Sequence, residues 1–365
     1  MKVLLLCRYG PRGASSRVRM YQFLPELRAA GIDVVPAPLV PDALLGARYA
    51  TGRYPARALA ARYAARVRDL AGGGAYDLLW IEYELFPWLP AFVELLAARL
   101  TPPFVLELDD AIFHRYDSHA SGMVRAMLGR KVDRLMAAAA AVVVGNPYLS
   151  ARATAAGARQ VVEIPSVVDT TVYTPGARPH DGPPVIGWMG SPTTAAYLHL
   201  IEDAIGGLVR ESRAQVTLVG VEPGRLAWSF PCTERAWSLQ TEVLELQGFD
   251  IGIMPLPDTP WERGKCGYKL VQYMACGKPV VASPVGVNPT LVRHGVDGFL
   301  ADGTTAWRDA LVTLLDDPAR RTTMGEAGRA RVVERWSAQA VVPAIVQMLR
   351  RAAGRPARGA VAVGT

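Results

Sequence analysis

Two lysines flank a short glycine-containing turn in the stretch GKCGYKL, which begins at Gly264. Gly264 and Gly267 free the backbone to turn and expose amide N–H groups, and Tyr268 to Ala275 is typical of the first turns of a helix. Such N–H groups attract anions, each favourable charge contributing on the order of 0.3 to 1 kcal/mol. Lys265 and Lys269 are four residues apart, hence on one helical face if the helix starts early enough. The stretch predicts either an anion site or a capped helix with solvated lysines.

A second group of chemical interest follows an apolar run in ELDDAIFHRYD. It places Asp109, Asp110 and His114 just beyond a predicted strand, where a carboxylate or imidazole can take the proton of a substrate hydroxyl. Aspartate is also favoured at helix starts, so a helix cap explains the same residues. Both interpretations stay open.

The loop RYGPRGASSR after the first apolar run offers a third candidate. Gly13, with Ala14 and Ser15, can bring backbone close to a phosphate. A tight turn before a helix, capped by Ser15 or Ser16, accounts for the same residues.

The elements around these candidates alternate between apolar strands and amphipathic helices. KVLLLC, YDLLWIEY, PPFVLELDD and AVVVGN are continuous apolar runs separated by helical patterns, at about 16–30, 89–98 and 123–140. This alternation predicts a parallel sheet covered on both faces. A second alternation begins at PVIGWMG and continues through QVTLVG and FDIGIMPL. Ligands of such sheets bind beyond the carboxyl ends of the strands.

A Pro/Gly-rich polar stretch at 174–184 separates the two alternations. At 365 residues the chain is long enough for about two domains. We therefore expect domains at 1–178 and 179–340, followed at 341–365 by a C-terminal helix that packs back and a frayed tail.

Composition limits the class of partner. Half of the residues are apolar, a fifth are charged, and the net charge is +7. This balance is typical of a soluble globular protein whose basic surplus suits phosphorylated small molecules, nucleic acid or an anionic membrane. No stretch interleaves aromatic with basic residues, so we expect no nucleic-acid partner. The arginines of residues 47–70 either rest on anionic lipid or form a solvated helix face.

Cysteine usage and apolar runs favour a cytoplasmic protein. The four cysteines form no CxxC pair, and we expect them to be reduced. VLLLC is too short for a signal peptide, and no run reaches the length of a membrane span. We expect a cytoplasmic location, free or peripheral at the inner face of the membrane.

The motifs GxGxxG after the first strand, GxxxxGK[ST], HExxH and GxSxG are absent, which disfavours a dehydrogenase or a P-loop ATPase.

The stretch KCGYKLVQYMACGKPVVASPVG, followed by LVRHGVDGFLAD, resembles the donor-binding signature of the retaining family 4 of GT-B glycosyltransferases. A lysine subgroup of that family carries K-x-x-x-K-L-x-E-Y-M-A-x-G-K-P-V-V-A-S. The matching residues are Lys265, Lys269, Leu270, Tyr273, Met274, Ala275, Gly277, Lys278, Pro279, Val280, Val281, Ala282 and Ser283. GWMG, FDIGIMPL and GRARVVERWS fit the same family, so that the resemblance covers most of 184–349.

The resemblance implies the GT-B fold, an α/β architecture of two Rossmann-like doubly wound domains facing across a cleft. It implies an enzyme that moves a sugar from a nucleoside-diphosphate sugar to an acceptor hydroxyl with retention. The abundance of Ala, Gly and Pro is as expected of a GC-rich bacterial genome. The donor is a substrate, and neither a cofactor nor a metal is implied. The acceptor, a small molecule, a glycan or a lipid-linked compound, would meet the first domain, where Asp110 and His114 would act on its hydroxyl.

The resemblance also assigns donor residues in the second domain. Gly190, Ser191, Gly267 and Tyr268 would lie at the donor, with Lys265 and Lys269 at its diphosphate, and Gly13 would approach it from the first domain. Lys265 would neutralise the charge of the leaving diphosphate and is therefore also a catalytic candidate.

This sequence departs from the family at several donor positions. Gln272 stands where the family has an acid for the ribose hydroxyls, and we expect its amide to hydrogen-bond to that diol at the donor site. Gly264 stands where many members have a second acid. Ser191 and Ala196 stand where many members have an arginine and a lysine that grip the diphosphate.

Three alternatives remain open on the sequence. A metal-dependent GT-A glycosyltransferase would use an acidic motif, to which ELDD is a near match. A GT-B sugar-nucleotide epimerase would need no acceptor. A non-catalytic sugar-nucleotide-binding protein would tolerate Ser191, Ala196 and Gln272 without cost.

Overall fold

The computed structural model describes residues 1–176, 182–221, 224 and 227–354. Contacts divide the chain into two units, one of Met1–Pro165 with the chain from Val341 onward, and one of Ser166–Ala340. The predicted boundary at 178/179 falls inside the second unit, whereas the predicted boundary at 340/341 coincides with its end. The predicted frayed tail and residues 177–181 of the predicted linker lie outside the described residues.

Within the described residues, the first unit contains a six-stranded sheet of order β2-β1-β3-β4-β5-β6, and every pairing is parallel. Leu4 pairs with Val35 on one side and with Leu79 on the other. The strands are β1 Lys2–Leu6, β2 Asp33–Pro36, β3 Leu78–Glu82, β4 Phe104–Leu108, β5 Ala141–Val144 and β6 Val161–Glu163. All residues of β3, β4 and β5 are buried, which confirms the covered parallel sheet that continuous apolar runs predict.

The helices of this unit are α1 Ala14–Arg19, α2 Leu24–Ala29, α3 Asp42–Thr51, α4 Ala56–Ala71, α5 Ala91–Arg99, α6 His114–Asp117, α7 Gly122–Leu128, α8 Lys131–Ala138 and α9 Pro147–Ala155. Two long predicted helices are in fact broken. The one at 16–30 stops at Met20, whose φ of −139° is not helical, and resumes as α2 with Pro25 in its first turn. The one at 123–140 is divided into α7 and α8.

The second unit has its own all-parallel sheet, with six strands among the described residues in the order β12-β11-β10-β7-β8-β9. The strands are β7 Val185–Met189, β8 Gln215–Val219, β9 Thr233–Arg235, β10 Ile251–Met254, β11 Val280–Ala282 and β12 Gly298–Leu300. Its core packs Trp188, Leu218 and Ile253 against Trp307 and Leu311. The short β9 was not predicted, because TER carries no apolar run.

The helices of the second unit are α10 Pro192–Ala195, α11 Glu202–Arg210, α12 Glu242–Gln247, α13 Pro260–Arg263, α14 Tyr268–Ala275, α15 Asn288–Leu291, α16 Gly303–Asp316 and α17 Pro318–Arg335, and α18 Ala338–Ala352 follows them. In α18 the residues from Val341 onward count with the first unit, where the Arg350 guanidinium donates to the Ala30 carbonyl at 2.8 Å.

Each sheet has a point where the chain reverses its direction of strand addition. In the first unit β2 and β3 flank β1, and in the second unit β8 and β10 flank β7. Ligands of doubly wound sheets bind beyond the carboxyl ends of the strands at this point. The loops after β1 and β3, and after β7 and β10, are therefore the places to examine for function.

The predicted arginine face over 47–70 is only partly exposed. Arg66 is buried and donates to the carbonyls of Cys7 and Ala37, and burial is the main cause that lowers its pKa to about 10. Arg62 donates to the Pro38 carbonyl. These two arginines serve the fold of the first unit, whereas Arg48, Arg53, Arg57 and Arg68 are exposed.

Two further expectations concern cysteines and membrane spans. All four cysteines are free, as predicted. Across the part of the chain that the structure describes, no helix is both long and apolar enough to cross a bilayer.

Candidate functional site

Helix α14 is anchored to the carboxyl end of β7 and packs against β10. The backbone N–H of Met189, the last residue of β7, donates to the buried Tyr273 hydroxyl at 2.9 Å. On β10, Gly252 leaves room for the Tyr273 ring, which a Cβ atom at that position would overlap. The sequence alternation therefore places α14 at the topological switch point of the second sheet.

Two predicted donor residues meet at this point. The Cε atom of Lys269 lies 2.7 Å from the position of a Cβ atom on Gly190. The Lys269 ammonium lies 5.5 Å from the ring centroid of Trp188, a cation–π contact that supports the lysine stem. The loop after β7 and the first turns of α14 thus bring one backbone segment and one cation together.

The start of α14 depends on Gly267. This residue has φ +65°, and a Cβ atom there would overlap Leu291, so that only glycine fits. The helix begins at Tyr268, three residues after Lys265. Lys265 therefore precedes the helix, and the condition for its sharing a helical face with Lys269 is not met.

The turn that carries Lys265 is held by a buried carboxylate. Glu262 accepts hydrogen bonds from the hydroxyls of Tyr197 and Thr259, and its carbonyl accepts the Lys265 N–H at 3.1 Å. This contact ties the segment after β7 to α13, and places half-buried Lys265 at the same sheet edge.

Ser191 and Ala196, where the resemblance leads one to look for cations, are both exposed. The Ser191 hydroxyl shares a hydrogen bond with Thr193 at 2.9 Å. Lys269 brings a positive charge close to the β7 loop.

Gln272 is buried in a polar cluster that sequence reasoning missed. Its amide Nε2 donates to Glu242 Oε1 at 3.0 Å and lies 3.4 Å from the Tyr173 hydroxyl. Trp237 Nε1 donates to the other oxygen of Glu242 at 2.5 Å, and Tyr173 also donates to Glu242. Burial is the main cause that raises the pKa of Tyr173 well above its usual value, followed by Tyr268, whose hydroxyl lies 3.3 Å away.

No spacing rule could have identified this cluster. Gln272 is 30 residues from Glu242 and 99 residues from Tyr173, and the three meet only through contacts between separate segments of one unit. The ribose role of Gln272 stays a prediction.

In the first unit, His114 has a partner at each ring nitrogen. Nδ1 lies 2.8 Å from Asp117 Oδ1 and Nε2 lies 2.9 Å from the Tyr148 hydroxyl. Asp110 is half-buried in the loop after β4. The catalytic roles of both residues stay predictions, and His114 would have to release one partner to act as a base.

Gly13 lets the loop after β1 turn back closely against Tyr9. A Cβ atom at Gly13 would overlap the Tyr9 side chain, and its N–H donates to the Gly10 carbonyl at 3.0 Å. The glycine is therefore required by the turn itself, whether or not a phosphate also approaches it.

Glu82, at the carboxyl end of β3, is a titratable group whose burial the sequence did not predict. Its Oε2 accepts from the Arg8 N–H at 2.6 Å and from the Ser16 hydroxyl at 2.5 Å, whereas its buried Oε1 has no hydrogen-bond partner among the described residues. Burial, and then the nearby Asp109 charge, raise the pKa of Glu82 to about 7. The available signal was an acid in the apolar run LLWIE.

The predicted near match to an acidic metal motif, ELDD, has no metal geometry. Among the residues described, no three histidine, cysteine or acidic side chains lie close enough to hold a metal ion.

Comparison with known proteins gives three findings. Residues 183–317 match the family model of Glycosyl transferases group 1. A D-inositol 3-phosphate glycosyltransferase from Pseudarthrobacter chlorophenolicus is 42% identical over 79 residues, which are 21% of this chain and 19% of that protein. The curated relatives are thus matched over less than half of their own length.

Two solved structures resemble nearly the whole chain. A sucrose-phosphate synthase from Thermosynechococcus elongatus is 18% identical with a TM-score of 0.70, over 96% of this chain and 98% of that chain. Anabaena HepE, solved in complex with UDP and glucose, is 19% identical with a TM-score of 0.69, over 96% and 100% of the two chains. The chain has two parallel sheets covered by helices and resembles these two structures over nearly its whole length. This architecture excludes the metal-dependent GT-A alternative. Residues 183–317 are therefore a glycosyl transferases group 1 domain, in a chain that has the GT-B fold.

Proposed function

We propose that this protein transfers a sugar from a nucleoside-diphosphate sugar to an acceptor hydroxyl. The observation that carries the proposal is the contact between Gly190 and Lys269 at the switch point of the second sheet, within the matched domain. A glycine lets the backbone approach a ligand closely, and a supported ammonium beside it suits a diphosphate. Anabaena HepE, with the same fold, was solved with UDP and glucose.

The donor chemistry follows from this geometry. As the bond between the anomeric carbon and the diphosphate oxygen breaks, negative charge accumulates on the leaving diphosphate. Lys269 and the N–H groups that begin α14 stabilise that charge, and Lys265 supports them from the preceding turn. The acceptor oxygen forms the new bond to the anomeric carbon and transfers its proton to a carboxylate or imidazole, for which Asp110 and His114 are the candidates. The family resemblance suggests that configuration is retained.

The acceptor is assigned to the loops of the first unit. Asp110 and His114 follow β4, and Gly13 follows β1, at the carboxyl edge of that sheet. One relative is named for transfer to D-inositol 3-phosphate, which makes a polar small molecule one candidate class. A glycan or a lipid-linked acceptor remains in the proposal, the latter with a peripheral membrane contact.

A panel of UDP-, GDP- and TDP-sugars tests the donor assignment by thermal shift and calorimetry. We expect one nucleotide series to stabilise the protein and bind in a salt-dependent manner. Release of the matching nucleoside diphosphate in the presence of acceptors then tests transfer. Absence of binding by every member of the panel would contradict the proposal.

A second candidate is a protein that binds a sugar nucleotide without transferring the sugar. The exposed Ser191 and Ala196 favour it, because both positions lack the cations that many family members have there. Tight donor binding without release of nucleoside diphosphate, over a broad acceptor panel, would support this candidate over the enzyme.

A further inference from the structure

We infer that Glu242 is a positioning residue that fixes the amide of Gln272, so that the amide oxygen accepts a hydrogen bond from a hydroxyl of the donor nucleotide. The inference rests on the proposed function and deepens it at the same site.

The orientation of the amide follows from the chemistry of its neighbour. Glu242 is 2% exposed, and its carboxylate already accepts from the Tyr173 hydroxyl and from Trp237 Nε1. A carboxylate surrounded by donors only accepts hydrogen bonds. The end of the Gln272 amide that contacts it at 3.0 Å is therefore the NH₂ group. The carbonyl end of the same amide is consequently turned away from Glu242.

That carbonyl oxygen is left to accept from another group. Gln272 is 4% exposed, and both of its side-chain hydrogen bonds within the described residues use Nε2. An amide oxygen can accept up to two hydrogen bonds. The bound form would satisfy it with a hydroxyl of the ligand.

The position of Gln272 on α14 directs it to the proposed donor site. It follows Tyr268 by four residues and Lys269 by three, and such residues lie on the same side of a helix. Lys269 is the cation that contacts the Gly190 loop. A nucleotide whose diphosphate meets Lys269 therefore brings its ribose, the nearest part with free hydroxyls, to the side of α14 that carries Gln272.

Glu242 also explains why an amide is suitable at position 272. A carboxylate in place of Gln272 would face Glu242 at hydrogen-bond distance, and two carboxylates this close cannot both ionise. The amide avoids the repulsion while keeping one acceptor for the ligand.

The experiment compares ribose-containing and deoxyribose-containing nucleotides by calorimetry on the full-length protein. The probes are UDP, GDP and the 2′-deoxy and 3′-deoxy form of each, and the measured quantity is the ratio of affinities between the ribose form and its weaker deoxy form. One neutral hydrogen bond predicts a ratio of about three to ten in the native protein.

The variants are Glu242→Gln, Gln272→Glu and the double swap of both. Glu242→Gln lets the amide at 272 turn over, so we expect the ratio to fall towards one while the diphosphate contact persists. Gln272→Glu alone is expected to bind more weakly as pH rises, because the proton shared by the two carboxylates is lost. The double swap restores one amide and one carboxylate, and we expect its ratio to reach or exceed that of the native protein, since charged acceptors bond more strongly.

Glu245→Gln is the matched control. Glu245 lies on the same helix, and its carboxylate pairs with Arg235 at 2.6 Å. The same change of charge there should leave the ratio as it is. A ratio near one in the native protein, or one that Glu242→Gln leaves unchanged, would overturn the positioning role while nucleotide binding itself stands. Failure of both nucleotide series to bind would overturn the proposed function, and the inference with it.

Discussion

The side chain of Lys269 occupies the space that any side chain on Gly190 would need, with the lysine Cε atom 2.7 Å from the ideal Cβ position. The two residues are 79 positions apart in the sequence and belong to different elements of one unit, the loop after β7 and helix α14. A side chain introduced at Gly190 is therefore expected to displace Lys269, and a change at Lys269 is expected to alter the space around Gly190.

Gly190→Ala is expected to lower the affinity for nucleoside diphosphates at least tenfold. The new methyl group would overlap the Trp188 ring and displace the Lys269 stem, so that the ammonium leaves its place beside the loop. Calorimetry with UDP or GDP measures the effect. Gly46→Ala is the control, because a Cβ atom at Gly46 in α3 meets nothing within 4 Å. Unchanged affinity in Gly190→Ala would separate the loop from the binding site.

Lys269→Met should weaken diphosphate binding by roughly ten- to 150-fold, the range of a charge-assisted hydrogen bond of about 1.5–3 kcal/mol. Methionine keeps an apolar stem against Trp188, so the melting temperature should change little. The salt dependence of binding should also become shallower, because one charge has been removed.

Lys265→Met is the companion variant to Lys269→Met, and Arg335→Met is the control at an exposed position at the end of α17. We expect a loss at Lys265 and none at Arg335. Full affinity after Lys265→Met would show that Lys265 does not contact the anion, and full affinity after both lysine changes would remove the basis for a diphosphate at this edge.

Tyr273→Phe is expected to destabilise the second unit by about 1 kcal/mol, because it leaves the buried N–H of Met189 without its acceptor. Chemical denaturation and nucleotide affinity are to be measured together, since the same bond holds α14 at the end of β7. Tyr49→Phe, at a side chain that is 66% exposed, is the control. Equal stability of Tyr273→Phe and the control would show that this bond does not anchor the helix.

The first unit should lose stability as pH rises from about 4.5 to 7. Burial raises the pKa of Glu82 from 4.5 to about 7, so the native state holds a proton there that the unfolded chain releases. The stabilisation is complete below pH 4.5 and is lost as pH approaches 7, by about 3 kcal/mol at most.

Glu82→Gln should remove this pH dependence, because its amide does not titrate in this range. The measurement is the difference in melting temperature between native protein and variant from pH 5 to pH 8. Glu26→Gln, at an exposed carboxylate in α2, is the control. A difference that stays constant with pH would mean that Glu82 is ionised throughout.

Local pattern predicted one helix of the site with its bounds and failed at another helix where a local signal was overlooked. The predicted helix Tyr268–Ala275 has those bounds in the structure, because Gly267 and Gly277 delimit it and its pattern is apolar. The predicted helix at 16–30 ignored Pro25, whose missing N–H favours a new helix start at α2.

The candidate site was predicted as a set of residues rather than as an arrangement. Glycines and lysines could be identified from spacing, whereas the environment of Gln272 depends on Glu242, 30 residues away, and on Tyr173, 99 residues away. Spacing rules describe neighbours in one helix or strand, and these contacts join separate elements.

The first unit is discontinuous in sequence, since it consists of Met1–Pro165 and the chain from Val341 onward. During synthesis, a ribosome that has released residue 340 has delivered all of the second unit but not the last segment of the first. The unit made second can therefore finish folding first, and the hydrogen bond from Arg350 to Ala30 joins residues that are 320 positions apart. Until that segment emerges, the part of the first unit that it covers in the folded protein stays exposed to solvent.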